Sequence, residues 1–151
     1  MASLAPHVSR TPAACPPHGF SVYQDVNLQM GLLSATSADI SLIYAEDSDY
    51  FIEKISIASG VARGLDGSNH WTMLIQNAGV SGTGTANVSM WTQNSGAGGV
   101  ALDKNKFYEI PWQSESAKFL ADGESLRVTF TKEGTAASGH FTLQVRYRRK
   151  A

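Results

Sequence analysis

The groups with which this chain could do chemistry are four histidines, one cysteine and thirteen acids. His7, His18, His70 and His140 lie far apart. No two have the helical i, i+4 or tight-loop spacing that brings imidazoles onto one metal ion. "CPPH" at 15–18 pairs a thiol with an imidazole, but Pro16 and Pro17 hold it extended and no second pair follows, so an exposed segment explains it better than a metal site. "EDSD" at 46–49 and "DGSN" at 66–69 look like pieces of calcium loops, yet neither carries the later glutamate that closes one. "GVSGTGT" at 79–85 lacks the lysine of a phosphate loop and runs into strand residues, where no helix N-terminus waits for an anion. Serines are abundant, but no G-x-S-x-G elbow occurs; a triad or a carboxylate pair assembled only in space would leave no trace here. The expectation is a protein that is not an enzyme and holds no cofactor or metal.

Two features suit binding. Trp71, Trp91 and Trp112, with Phe107 and Tyr108, could line a sugar-binding face, and Trp91 and Trp112 are the candidates for it. The ordinary alternative puts Trp71 in an inward stripe and uses Trp91 and Trp112 to cap the core or anchor a protein interface. The tail "RYRRK" places Arg146, Arg148 and Lys150 on one strand parity, with Tyr147 and Arg149 on the other. Like charges on one face repel unless something acidic meets them. A solvated terminus satisfies that, and so does an acidic groove on a partner. Nucleic acid is the third choice, since a net charge of −1 gives it little support.

The elements that must carry these residues read as strands. Residues 1–18 hold four of the five prolines, Pro6, Pro12, Pro16 and Pro17, and are expected to form an extended arm without regular structure. From 19 onward apolar residues alternate, and successive strand residues face opposite ways. Phe20, Val22, Val26 and Leu28 share a parity. So do Ile40, Leu42 and Tyr44; Phe51, Ile55 and Ile57; Trp71, Met73 and Ile75; Val88 and Met90. "KFYEIPW" is a shorter strand ended by Pro111. Leu126, Val128 and Phe130 form the next stripe, and Phe141, Leu143, Val145 and Tyr147 close the series. Turn clusters such as "GLDGSN", "NSGAGG" and "ADGE" separate the strands, and "SESAKFLA" supplies at most a helical turn. About eight short strands with no sustained 3.6-residue period predict an all-β antiparallel β-sandwich, an eight-stranded jelly roll, over 19–151.

At 151 residues the chain buries one core without staples, and Cys15 has no intramolecular partner, which fits a reducing cytosolic origin. Charged residues make up 17%, so Ser, Thr, Asn, Gln and Gly carry the polarity, as on a β-rich surface that packs against other protein. Charge is unevenly placed: residues 1–66 hold three basic and seven acidic residues, and 67–151 hold nine and six. No apolar run is long enough to span a membrane, and the proline-broken start does not read as a secretory signal.

"SDYFIEKISIASG", "HWTMLIQNAG" and the closing "FLADGESLRVTFTKEG … GHFTLQVRYRRK" together resemble small β-sandwich proteins of tailed bacteriophages, the cement or decoration proteins of the outer capsid shell; the resemblance covers 38–148. It implies a jelly-roll clamp that bridges neighbouring major capsid protein subunits on the virion exterior, made in the host cytoplasm. It also implies a homo-oligomer, a dimer or trimer, with no catalytic residues. The contacts expected are Val8, Arg10, Pro12, Pro16 and Pro17 of the arm, and Arg146, Arg148, Arg149 and Lys150 of the tail. No membrane and no direct nucleic acid are expected. A carbohydrate-binding module or fibre receptor-binding head, using Trp91 and Trp112, is the alternative.

Overall fold

A computed structural model describes residues 24–29, 37–96 and 98–150. The proposed arm and its contact residues Val8, Arg10, Pro12, Pro16 and Pro17 lie outside them. Among the described residues the chain forms nine strands: β1 (Gln24–Gln29), β2 (Ser37–Tyr44), β3 (Tyr50–Ser59), β4 (Trp71–Gly79), β5 (Ala86–Thr92), β6 (Tyr108–Glu109), β7 (Phe119–Leu120), β8 (Ser125–Lys132) and β9 (Phe141–Arg149). A 3₁₀ turn, Glu115–Lys118, sits where "SESAKFLA" promised a helical turn.

Every pairing between strands is antiparallel. The first sheet has the order β1-β9-β3, with β6 and β7 both on the far edge of β3; the second runs β2-β8-β4-β5. The pairs are nested: β1 with β9, β2 with β8, β3 with β6 and β7, β4 with β5. The chain is therefore one long hairpin ribbon, its tip at the turn after β4, rolled so that successive pairs fall in alternate sheets. That is the jelly roll expected from the sequence, with one strand more.

The stripes of β4, β8 and β9 face the core as their alternation requires: Trp71, Met73, Ile75, Leu126, Val128, Phe130, Phe141, Leu143 and Val145 are all buried. Three other stripes are cut by bulges, where one extra residue moves everything beyond it to the opposite face. In β2 the extra residue is Leu42; Ile43 and Ala45 are buried while Tyr44, expected beside Ile40, is 59% exposed. In β3 it is Glu53; Ile52 joins Ile55 and Ile57 in the core, and Phe51 turns outward. In β5 it is Val88, so Trp91 points inward and Met90 outward, the reverse of the expected phase.

Aromatic rings fill one end of the core. Phe141 is central, stacked on Phe130 at 5.1 Å and met edge-on by Trp71 at 5.6 Å, with Trp91 at 5.7 Å. Each buried indole N–H finds a carbonyl: Trp71 Nε1 donates to Ala137 O at 2.8 Å and Trp91 Nε1 to Val100 O at 2.9 Å. These bonds remove the penalty of burying a polar atom and fix the loops that carry the acceptors. Gly134, at φ +59°, sits so close to the Ser68 carbonyl that no β-carbon fits there.

Candidate functional site

The basic end of β9 is packed against acids from the same chain. Arg146 makes a two-pronged pair with Asp25 of β1, at 2.8 and 3.1 Å. Arg148 pairs with Glu53, the bulged residue of β3, and lies 4.9 Å above the Phe51 ring. Arg149 donates to Glu46 O at 3.0 Å. Lys150 lies 3.8 Å from the Asp49 carboxylate and 5.4 Å above the Phe119 ring, and its backbone N–H donates to Asp49 O. The acidic turn at 46–49 thus meets the tail in cis. The bulge has a purpose in this: by adding Glu53 out of phase, β3 delivers a carboxylate to Arg148. Hydrogen bonding to Arg146, more than simple charge attraction, holds the Asp25 carboxyl below its ordinary range. Desolvation of the tail is modest, so each pair contributes little on its own; together they settle where the cations go.

The glycan candidates fare differently from each other. Trp91 is 3% exposed and its ring belongs to the core. A sugar needs an open aromatic face, and the inward turn after the β5 bulge removes this one. Trp112 is half-buried, bridged through its backbone to Ser89, with Lys118 Nζ 5.6 Å from its ring. The two indoles present no shared platform.

Three features escaped the sequence reading. Arg63 is 6% exposed, and burial lowers the pKa of its guanidinium. It donates to Ser59 Oγ at 3.1 Å and Ser138 O at 2.7 Å, lies 5.0 Å over Phe141, and its backbone exchanges hydrogen bonds with Leu102. It staples three loops, those after β3, after β5 and before β9. In sequence it is one arginine in a glycine-rich turn, "GVARGLDG", with nothing to mark it. Asp66 is the second: it accepts the backbone N–H groups of Asn69 and Ser68, which depress its pKa in that order, and so closes the "DGSN" turn. The Asx-turn habit of aspartate makes such a turn ordinary between strands, but does not say which backbone groups it caps.

The third is a depression of about 300 Å³ on the solvent face of the first sheet. Its floor is the in-register pair Ala58 and Thr142, and its rim is Phe107, Asn105 and His140. Beyond the floor the same face rises into charged side chains, Lys54 paired with Glu109 at 3.4 Å and Arg146 with Asp25. The loop that carries the rim is tightly braced. Tyr108 Oη donates to Asp103 at 2.6 Å, Lys106 Nζ reaches the same carboxylate, and Asn105 N–H donates to Ser59 O. Those bonds, Tyr108 first, lower the Asp103 pKa. Among the described residues, no group of three or more His, Cys, Asp or Glu side chains is placed to hold a metal ion, and no helix is long and apolar enough to cross a membrane.

No protein-family model matches the chain, and no curated protein matches it. Solved structures do. A chain of the cyanophage Pam1 capsid asymmetric unit is similar at a TM-score of 0.51 and 11% identity, over 91% of this chain and 92% of that one. A chain from disulfide-linked pili of Bacillus endospore appendages aligns over 91% and 97% at a TM-score of 0.36 and 15% identity. A chain of the infectious bursal disease virus Gx strain aligns over 87% of this chain and 38% of its own, at 0.34 and 14%. At such identities the likeness is one of fold, and the phage capsid chain is similar in fold over most of both chains.

Proposed function

We propose that this chain is a non-enzymatic structural protein of a virion, mounted on the outer capsid surface, where it bridges and stabilises neighbouring major capsid subunits. The observation that carries the reading is the fold likeness, over 91% of this chain and 92% of the other, to a chain of a phage capsid asymmetric unit. The surface chemistry supports it. Cations of the tail are spent inside the molecule, so the domain presents a polar, weakly charged exterior that can lie against protein without strong repulsion. Binding of this kind gains strength from copy number: a modest contact repeated around an oligomer, a dimer or trimer, becomes durable because each engaged copy raises the local concentration of the next. In this reading the chain is made in the host cytoplasm and needs no cofactor, and residues 1–18 reach to a neighbouring subunit.

The test is a shell-binding assay. Shells assembled from the cognate major capsid protein are mixed with the full chain, or with a variant lacking residues 1–18, and bound copies are counted by cryo-electron microscopy. Saturating, symmetric occupancy is expected for the full chain, with a clear loss for the variant. Absence of full-chain density from every shell position would end the reading. Full occupancy by the variant would remove the arm from it.

A further inference from the structure

We propose that the depression between Phe107 and His140 binds a neutral sugar ring, with Phe107 under the apolar face of the sugar and Asn105, His140 and Thr142 meeting its hydroxyl groups. The site does not depend on what the domain is mounted on.

The first argument is about side chains that remain uncommitted. Other asparagines of the loops and edges are spent on structure. Asn69 accepts from Thr135, Asn77 bonds Glu124 and Gly79, Asn87 accepts from Gln76, and Asn94 bonds Gly96. Among the described residues the side chains of Asn105, His140 and Thr142 make no hydrogen bond, and all three line one depression. An amide, an imidazole and a hydroxyl each donate and accept. Sugar hydroxyls do both as well, so these three groups match a sugar better than they match an ion.

The second argument is the ring. Phe107 is 48% exposed, although its neighbour Tyr108 is held by Asp103 and covered by Lys106. The negative face of an aromatic ring attracts the weakly positive C–H bonds on one side of a pyranose. The third is charge. None of the residues lining the depression carries a permanent charge, which disfavours phosphate, carboxylate or ammonium ligands. The volume, about 300 Å³, holds one or two sugar units, and the braced loop means little ordering cost on binding.

Asn105 has a competing structural role, because its φ of +58° is a conformation asparagine tolerates. Glycine tolerates it better. Asn105→Gly therefore preserves the loop and removes only the amide. The experiment is a glycan array of the wild-type chain, followed by NMR titration with methyl glycosides of glucose, galactose, N-acetylglucosamine and N-acetylgalactosamine. Saturable shifts are expected, clustered at 58–60, 105–107 and 140–142. Phe107→Ala is expected to weaken binding about tenfold, and Asn105→Gly about fivefold, both with unchanged melting temperature. Phe107→Leu, which keeps bulk and loses the ring, should follow Phe107→Ala. The proposal is overturned by an array with no hits and no saturable shift up to the solubility of the glycosides. It is equally overturned by shifts that cluster elsewhere, or by variants that bind like wild type.

Discussion

The two ends of the first sheet's solvent face are built on opposite plans. At the tail end, Arg146, Arg148 and Lys150, with Arg149 on the opposite face of β9, are each matched by an acid or a carbonyl of the same chain, and aromatic rings lie beneath three of them. At the other end, Asn105, His140 and Thr142 surround a hollow with small residues for a floor. The sequence advertises the first end with a run of cations and says nothing about the second. Charge that is conspicuous in a sequence can be fully occupied in the fold, and capacity to bind can rest with residues that draw no notice.

The largest effect that can break this contrast acts on the core beneath the hollow. Phe141 anchors the aromatic cluster and also underlies the hollow. Phe141→Ala should cost about 4 kcal/mol by chemical denaturation. A cost within the range of a surface change would mean that the aromatic cluster does not hold this end together. Next, Glu53→Gln removes the carboxylate that the bulge brings to Arg148. A loss of about 0.5–1 kcal/mol is expected, vanishing in molar salt, together with stronger retention on an anionic column. Unchanged retention would show that the tail is already available in the wild type.

The smallest effect is in pH. The Asp25, Asp66 and Asp103 carboxyls all sit below their ordinary values, held there chiefly by hydrogen bonds from Arg146, from the Asn69 backbone and from Tyr108. A carboxyl depressed by folding adds stability that is complete above its unfolded pKa, about 4, and is lost as pH falls through its lower folded value. Melting temperature should therefore fall on acidification below about pH 4. Asp66→Asn should flatten that limb while keeping the turn. A limb of unchanged slope would assign the acid sensitivity to the other two groups.

The fold was largely readable because the start of β4 and most of β8 and β9 alternate buried with unburied positions, enough to tell a half-buried strand from anything else. Reading failed where alternation did. Leu42, Glu53 and Val88 each add one residue, and Tyr44, Phe51 and Met90 end on faces the simple parity denies them. β7, with two residues, has no period to detect. The candidate site was barely legible, for a different reason. The hollow is made where 58–60, 105–107 and 140–142 converge, and no spacing along a chain encodes that meeting. Phe107 was noticed as an aromatic, but beside tryptophans of which two, Trp71 and Trp91, lie in the core.

The nested ribbon also dictates a timetable. β9 lies in the middle of its sheet, between β1 and β3, yet it follows both by some eighty residues or more in the chain. On a ribosome the early strands emerge with their central neighbour still unmade, and their edges stay open to any other strand nearby. Such high contact order predicts slow collapse and a window for aggregation during synthesis. Until β9 arrives, Asp25 and Glu53 stand as unpaired negative charges on those waiting edges, where mutual repulsion between copies discourages premature pairing.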